Sequence, residues 1–127
     1  MSKLLIADDD PDILHAMETF AKTRGYEVVS ATRGDDALDL AREHRPDAIL
    51  LDIMMPGLDG RDVMKRLQAE GIDKQAVVIF VTARDAQSDR LVGLELGAHE
   101  YETKPVHIGR LFDKIARLLE KRRAGEF

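Results

Sequence analysis

Two apolar runs in this chain end in carboxylates: Leu4-Leu5-Ile6-Ala7 leads into Asp8-Asp9-Asp10, and Ala48-Ile49-Leu50-Leu51 leads into Asp52. Acids gathered at strand ends disfavour one another's ionisation unless a positive group joins them. A third run, Val77-Val78-Ile79-Phe80-Val81, ends in Thr82, and Glu100-Tyr101-Glu102-Thr103 ends in Lys104-Pro105. Carboxylates, a hydroxyl and an ammonium at four strand ends are the parts of a metal-assisted phosphoryl site. An open oxygen site with one or two direct carboxylates suits magnesium. Asp9 and Asp52 are the expected direct ligands, the backbone carbonyl of Met54 a third, and Asp8 the holder of a metal-bound water. A carboxylate is a poor nucleophile toward an anionic phosphoryl group, but a shared cation and a lysine remove most of the repulsion, so central Asp52 is the expected nucleophile. Lys104 would stabilise phosphoryl oxygens, and the Thr82 hydroxyl would donate to one of them.

Positioning these groups requires the strands to lie side by side. Apolar runs alternate with helical patterns, giving predicted strands near 3–7, 26–31, 47–52, 76–82 and 99–103, and helices over 11–24, 35–44, 60–70, 86–97 and 107–122. Such alternation predicts an α/β fold with helices on both faces of a parallel sheet. The first, third and fourth strands are continuously apolar, whereas Tyr26-Glu27-Val28-Val29 and Glu100-Tyr101-Glu102-Thr103 are mixed. The mixed strands belong at the edges, which gives a five-stranded, doubly wound, flavodoxin-like order of 2-1-3-4-5. Right-handed crossovers then put helices one and five on one face and the other three on the opposite face. In that order the ligand crevice lies at the carboxyl ends of strands one and three, where Asp8, Asp9 and Asp52 stand.

Other residues read as structure. Asp10 caps the first helix with Pro11 at its first position, and Pro56-Gly57 suits the centre of a type II turn. Ile108, Leu111, Phe112, Ile115, Leu118 and Leu119 are the core stripe of the last helix. His15, His44, His99 and His107 lack metal-ligand spacing and read as surface or partly buried groups; Met54 and Met55 read as loop packing. Taken singly, an acid at a strand end caps the next helix, and Thr82 or Lys104 alone is a turn hydroxyl or a solvated charge. Only their joint placement at four strand ends overturns this.

A chain of 127 residues fits one domain, and its formal charge of −5 comes from 24 acids against 19 bases. The bases are scattered except for Lys121-Arg122-Arg123, which argues against direct nucleic-acid binding. The chain has no cysteine, in keeping with a reducing compartment. Without a charged leader or an apolar run of spanning length, the expectation is a soluble, cytoplasmic protein with no membrane contact.

Asp8-Asp9 after the first strand, Asp52 followed by Met55-Pro56-Gly57 and Asp59-Gly60, Val81-Thr82-Ala83, and Lys104-Pro105 together resemble the receiver domain of bacterial two-component response regulators, over essentially the whole chain. The resemblance is to a domain over residues 1–123; Ala124-Gly125-Glu126-Phe127 carry no pattern and read as a linker stub or cloning scar. It implies that a sensor histidine kinase or phosphotransfer protein passes a phosphoryl group to Asp52 with Mg2+, and that the acyl phosphate is later hydrolysed. The domain would catalyse both steps on itself, as a switch and not as an enzyme turning over a metabolite. Thr82 would move toward the phosphoryl group, Tyr101 would turn inward, and the surface of helix four, strand five and helix five would change to engage an effector domain or downstream protein. The resemblance also implies a cis Lys104–Pro105 bond and a small Ala83 that leaves the site accessible.

Met54 and Arg84 occupy the family positions that tune phosphoryl lifetime, and apolar Met54 cannot orient a water, so slow self-dephosphorylation is expected. Asp89-Arg90, Gly93-Leu94-Glu95-Leu96-Gly97-Ala98 and Tyr101 resemble regulators whose receivers form a phosphorylation-dependent homodimer before a winged-helix domain binds DNA. Arg110 stands where those regulators carry an acid and would repel Arg90 across the dimer; Val106 replaces the aromatic usual after the Lys-Pro pair. Two readings outside signalling fit less well. A flavin-phosphate binder needs a loop of free amides after strand one, where this chain has acids. An aspartyl-phosphate phosphatase needs a second acid close to the nucleophile, and Asp52-Ile53-Met54 has none. A receiver that no longer accepts phosphoryl is the remaining alternative, although every motif residue is present.

Overall fold

The computed structural model describes residues 2–83 and 94–127. In chain order it comprises β1 (Lys3–Ala7), α1 (Pro11–Thr23), β2 (Glu27–Ala31), α2 (Gly34–His44), β3 (Ala48–Leu51), α3 (Gly60–Ala69), a 3-10 turn (Ile72–Lys74), β4 (Val77–Thr82), β5 (Glu100–Thr103) and a C-terminal helix (Ile108–Arg123). The helix expected over 86–97 falls outside the described residues except at its end, as do Arg84, Asp89, Arg90 and Gly93.

The strands pair in parallel in the order β2-β1-β3-β4-β5, as expected. Side chains alternate between sheet faces along each strand, and two cores result. Leu4, Ile6, Leu50, Ile79 and Val81 pack with Leu14 and Met17 of α1 and Phe112 and Ile115 of the C-terminal helix. On the other face Leu5, Ile49, Leu51, Val78 and Phe80 pack with Leu38 of α2 and Met64 and Leu67 of α3. Among the described residues, α1 and the C-terminal helix thus lie on one face and α2 and α3 on the other, as right-handed crossovers require. Phe112 anchors the first core, its ring 5.2 Å from Phe20 and 6.0 Å from Tyr26. Burying one such side chain contributes about 1.5–3 kcal/mol. Edge strands β2 and β5 are only partly covered, each with one buried position, which is why their sequences are mixed.

Helix starts are set by local chemistry. Asp10 accepts hydrogen bonds from the amides of Asp12 (2.9 Å) and Ile13 (3.4 Å), and Pro11 opens α1 where an amide proton has no partner to lose. At the opposite end of the sheet, His99 joins β4 to β5: its amide donates to the Val78 carbonyl (2.8 Å), and the Val78 amide donates to its Nδ1 (3.1 Å). Burial, reinforced by the charge of Arg122, holds the His99 ring below the usual imidazole pKa. The unfolded chain takes up this proton near pH 6.5 and the folded chain only at lower pH. Stability contributed by the neutral ring is thus present above that value and lost as pH falls below it toward the folded pKa. Melting temperatures measured from about pH 7.5 to about pH 5 are expected to fall less steeply in His99→Asn than in the parent; parallel curves would remove His99 as the cause.

Candidate functional site

Strand register brings the acids together. Ala7 pairs with Leu51, so the next residues, Asp8 and Asp52, leave neighbouring strands side by side. Pairing continues one step past the strands, the Asp8 amide donating to Ala31 (3.1 Å) and the Asp52 amide to Ala7 (2.9 Å). On the other side of β3, the Lys104 amide donates to the Thr82 carbonyl (2.8 Å), which fixes where the lysine leaves β5. Its Nζ reaches back over the strand ends to lie 2.7 Å from Asp8 Oδ2 and 2.9 Å from Asp52 Oδ2. Asp8 Oδ1 accepts from the Asp10 amide (2.9 Å), and Asp52 Oδ1 accepts from the Met54 amide (3.1 Å). Asp8 and Asp52 are only 1% and 4% exposed, Thr82 is fully buried at the end of β4, and Asp9 faces solvent.

Two buried carboxylates thus share one ammonium. Burial pushes the Asp8 pKa up and the charge of Asp52 adds to this; the Lys104 contact and the Asp10 amide oppose the rise without cancelling it. For Lys104 burial acts downward, yet the close contacts with Asp8 and Asp52 and their charges outweigh it and the pKa is raised. Asp8 Oδ2 is buried with no donor aimed at it, so its contact with Lys104 is an ion pair without hydrogen-bond geometry. One oxygen from each of Asp8, Asp9 and Asp52 lies within 4.8 Å of the others. An under-satisfied buried oxygen, an excess of negative charge and an all-oxygen donor set fit a hard divalent cation entering from the Asp9 side.

The loop after β3 is shaped by glycine. Gly57 has φ +77°, the value the third position of a type II turn demands. At Gly60 a β-carbon would sit 2.3 Å from the Asp52 carbonyl oxygen and 2.8 Å from Ile53 Cα, so only glycine lets α3 start against the end of β3. Gly60→Val is expected to cost about 1–3 kcal/mol and to weaken Mg2+ binding by displacing residues 52–54. Urea unfolding together with a Mg2+ titration checks this, and an unchanged titration would show that loop and site are independent.

Asp59, noted in the sequence only within the motif Asp59-Gly60, caps α3 through the amides of Arg61 (2.9 Å) and Asp62 (3.0 Å); an aspartate directly ahead of an amphipathic run was the available signal. The packing expectation for the methionines holds for Met55, which is buried, but not for Met54, which is 57% exposed. Met54 and Asp9 instead border a cleft of about 410 Å³ that Asp59 and Arg61 also line. The Lys104–Pro105 bond is cis. Tyr101 is fully buried, its ring centroid 6.2 Å from that of Phe80.

The profile of the response regulator receiver domain matches residues 4–116. The chain belongs to that family. The receiver domain is 42% identical over 120 residues to the transcriptional regulatory protein PrrA of Mycobacterium tuberculosis, covering 94% of this chain and 51% of that protein. It is 43% identical over 122 residues to AfsQ1 of Streptomyces coelicolor, covering 96% and 52%. It therefore spans about half the length of these curated relatives. Among solved structures, the receiver domain of Francisella response regulator 1452 superimposes with a TM-score of 0.90 at 33% identity, covering 96% of this chain and 99% of that one. The BeF3-activated receiver domain of Klebsiella pneumoniae RstA gives 0.85 at 28% identity, covering 92% and 97%. This receiver domain is thus a phosphorylation-dependent signalling domain of two-component systems and not a classical enzyme. Mg2+ at the acidic pocket is a family feature, and no helix among the described residues is long and apolar enough to cross a membrane.

Proposed function

We propose that Asp52 is the phosphoacceptor. The observation that carries this is the Asp52 carboxylate, held by Lys104 Nζ at 2.9 Å and the Met54 amide at 3.1 Å, with oxygens of Asp8 and Asp9 inside 4.8 Å. A carboxylate oxygen of Asp52 attacks the phosphorus of a phosphohistidine on a sensor kinase or phosphotransfer protein; the P–N bond breaks and the imidazole leaves. Asp8, Asp9, Asp52 and the Met54 carbonyl would hold Mg2+, which supplies neutralisation of charge on the phosphoryl oxygens. Lys104 transfers its hydrogen bond from Asp52 to a phosphoryl oxygen, and the Thr82 hydroxyl donates to another.

Thr82 and Tyr101 form the switch in this reading. Both are fully buried, and Thr82 pairs in register with Thr103 while Phe80 pairs with Tyr101, so a shift of Thr82 is felt directly in β5. The surface that responds includes β5 and the C-terminal helix, and it meets an effector domain or separate target. Residues 1–123 would form the receiver and 124–127 a tail. Exposed, apolar Met54 offers no side-chain group to orient a hydrolytic water. Phosphoryl loss is therefore slow, and Met54→Asn is expected to speed the decay measured by intact mass over time.

The direct test is incubation with acetyl phosphate and Mg2+ followed by intact mass. One added phosphoryl group, absent when Mg2+ is chelated, is the expected result. No addition would mean a receiver that has lost the reaction, and equal addition under chelation would place the phosphoryl elsewhere.

A further inference from the structure

The loop that follows Asp52 and Met54 rests on the first turn of α2 through a backbone contact that only glycine permits. Arginine has no hydrogen-bond acceptor, so Arg33 at the N-cap of α2 leaves the opening amide of the helix to find its partner elsewhere. The Gly34 amide donates to the Pro56 carbonyl at 3.1 Å. A β-carbon on Gly34 would lie 1.7 Å from the Leu58 carbonyl oxygen and 2.6 Å from its carbon, so any side chain there pushes the loop away. Glycine weakens a helix relative to alanine, yet Gly34 is the first residue of α2. A local preference set aside for the close approach of another backbone marks a position kept for what lies against it.

Side chains of the same turn cover the loop as well. Arg33 Nε lies 3.1 Å from Asp35 Oδ1, and Arg33 Nη2 lies 3.4 Å from Asp35 Oδ2. A β-carbon on Gly57 would meet Asp35 Oδ1 at 2.6 Å and Arg33 Nη2 at 3.0 Å, so the ion pair is seated on the turn that Gly57 makes. The guanidinium holds the Asp35 carboxyl below its usual pKa, which keeps the pair charged at neutral pH. Residues 33–35 thus clasp Pro56, Gly57 and Leu58 through backbone and side chain together. Met54 stands two residues and Asp52 four residues before Pro56, so a displaced clasp carries both with it. We propose that Gly34 and the Arg33–Asp35 pair are positioning residues for the chemistry at Asp52, holding the Met54 carbonyl where it meets Mg2+. The inference deepens the reading of the site given above and rests on it for the metal ligands. Coupling of this kind is reciprocal: if the clasp favours the cation, the cation tightens the clasp by the same factor.

Calorimetric titration of the intact chain with Mg2+ tests the clasp. Gly34→Ala is expected to weaken Mg2+ binding at least about fivefold. Arg33→Gln, which removes an exposed pair and moves no backbone, is expected to weaken it about twofold. At saturating Mg2+ both variants should take up phosphoryl from acetyl phosphate nearly as fast as the parent, because Asp52, Lys104 and Thr82 are unaltered. Leu38→Ala opens a cavity in the core beneath the same helix; it should melt lower than the parent and bind Mg2+ equally well. In the parent, Mg2+ should slow hydrogen exchange at the Gly34 amide, while the Arg45 amide, bonded to the Ala41 carbonyl at the far end of α2, exchanges as before. Unchanged Mg2+ affinity in Gly34→Ala, affinities that follow melting temperature through all three variants, or equal slowing at Gly34 and Arg45 would reduce the clasp to packing and overturn the proposal. If Gly34→Ala does not fold, Arg33→Gln and the exchange of the parent decide by the same criteria. A parent that binds Mg2+ without taking up phosphoryl would remove Asp52 as acceptor and leave the clasp standing, whereas a parent that binds no Mg2+ would remove both.

Discussion

Asp52→Asn is expected to abolish phosphoryl uptake from acetyl phosphate while leaving the unliganded fold nearly as stable as before. An amide is no nucleophile toward phosphorus here, because its oxygen carries no full negative charge. The substitution keeps the volume of a side chain that is only 4% exposed, so no cavity opens. It also keeps one of the two polar contacts: its carbonyl can accept either from the Met54 amide or from Lys104, which hold opposite oxygens of the aspartate, but not from both. Losing one such bond costs about 1 kcal/mol, partly offset because Asp8 then has the Lys104 charge to itself. The stabilisation by Mg2+ should collapse, since one of three clustered carboxylates is gone. A ligand at a hundred times its dissociation constant stabilises by about 2.7 kcal/mol, and most of that rise should be missing from the variant's melts. Undiminished phosphoryl uptake in Asp52→Asn would remove Asp52 as the acceptor.

Lys104→Met should show the reverse pattern. Methionine fills much the same space but leaves Asp8 and Asp52, both buried, without their shared cation. Stripping one partner from a buried ionic group costs about 3–5 kcal/mol. Part of this is escaped by protonating Asp8, whose pKa burial already raises and which the loss of the ammonium raises further. The folded state then holds a proton that the unfolded chain releases near pH 3.8, so stability falls as pH rises from there through the folded pKa. Damage is therefore greatest at neutral pH and smallest in acid. Added Mg2+ supplies the missing positive charge, and it should raise the stability of the variant by more than that of the parent. Urea unfolding at about pH 7 and about pH 5, with and without Mg2+, measures all three effects. A variant as stable as the parent at neutral pH would show that the ammonium is not what holds these carboxylates.

Much of this was legible in the chain because its signals are local and agree with one another. Continuous apolar runs at β1, β3 and β4 against mixed ones at β2 and β5 gave the strand order, since strands covered on both faces have no solvent side to signal. Asp10-Pro11 read correctly as a helix start for the same reason: cap chemistry lies within three residues of itself. Asp59 was missed because the same aspartate-glycine pair also writes a turn. His99 was missed as a structural link because its partner, Val78, lies 21 residues away and nothing in either residue type announces the bond.

By itself the sequence determined which residue types stand at the strand ends and, through hydrophobic patterning, that those ends share one edge of a parallel sheet. Only the tertiary structure decided how they meet: that one ammonium spans Asp8 and Asp52, that Asp8 keeps a buried oxygen without a directed donor, that Asp9 stays wet, and that Met54 turns outward while its amide turns in. Patterning reports which face of an element is buried, an average over many side chains. Distances of a few ångströms between groups far apart in sequence depend on register, loop geometry and the space a missing β-carbon leaves at Gly60, and these are fixed only when the whole core has packed.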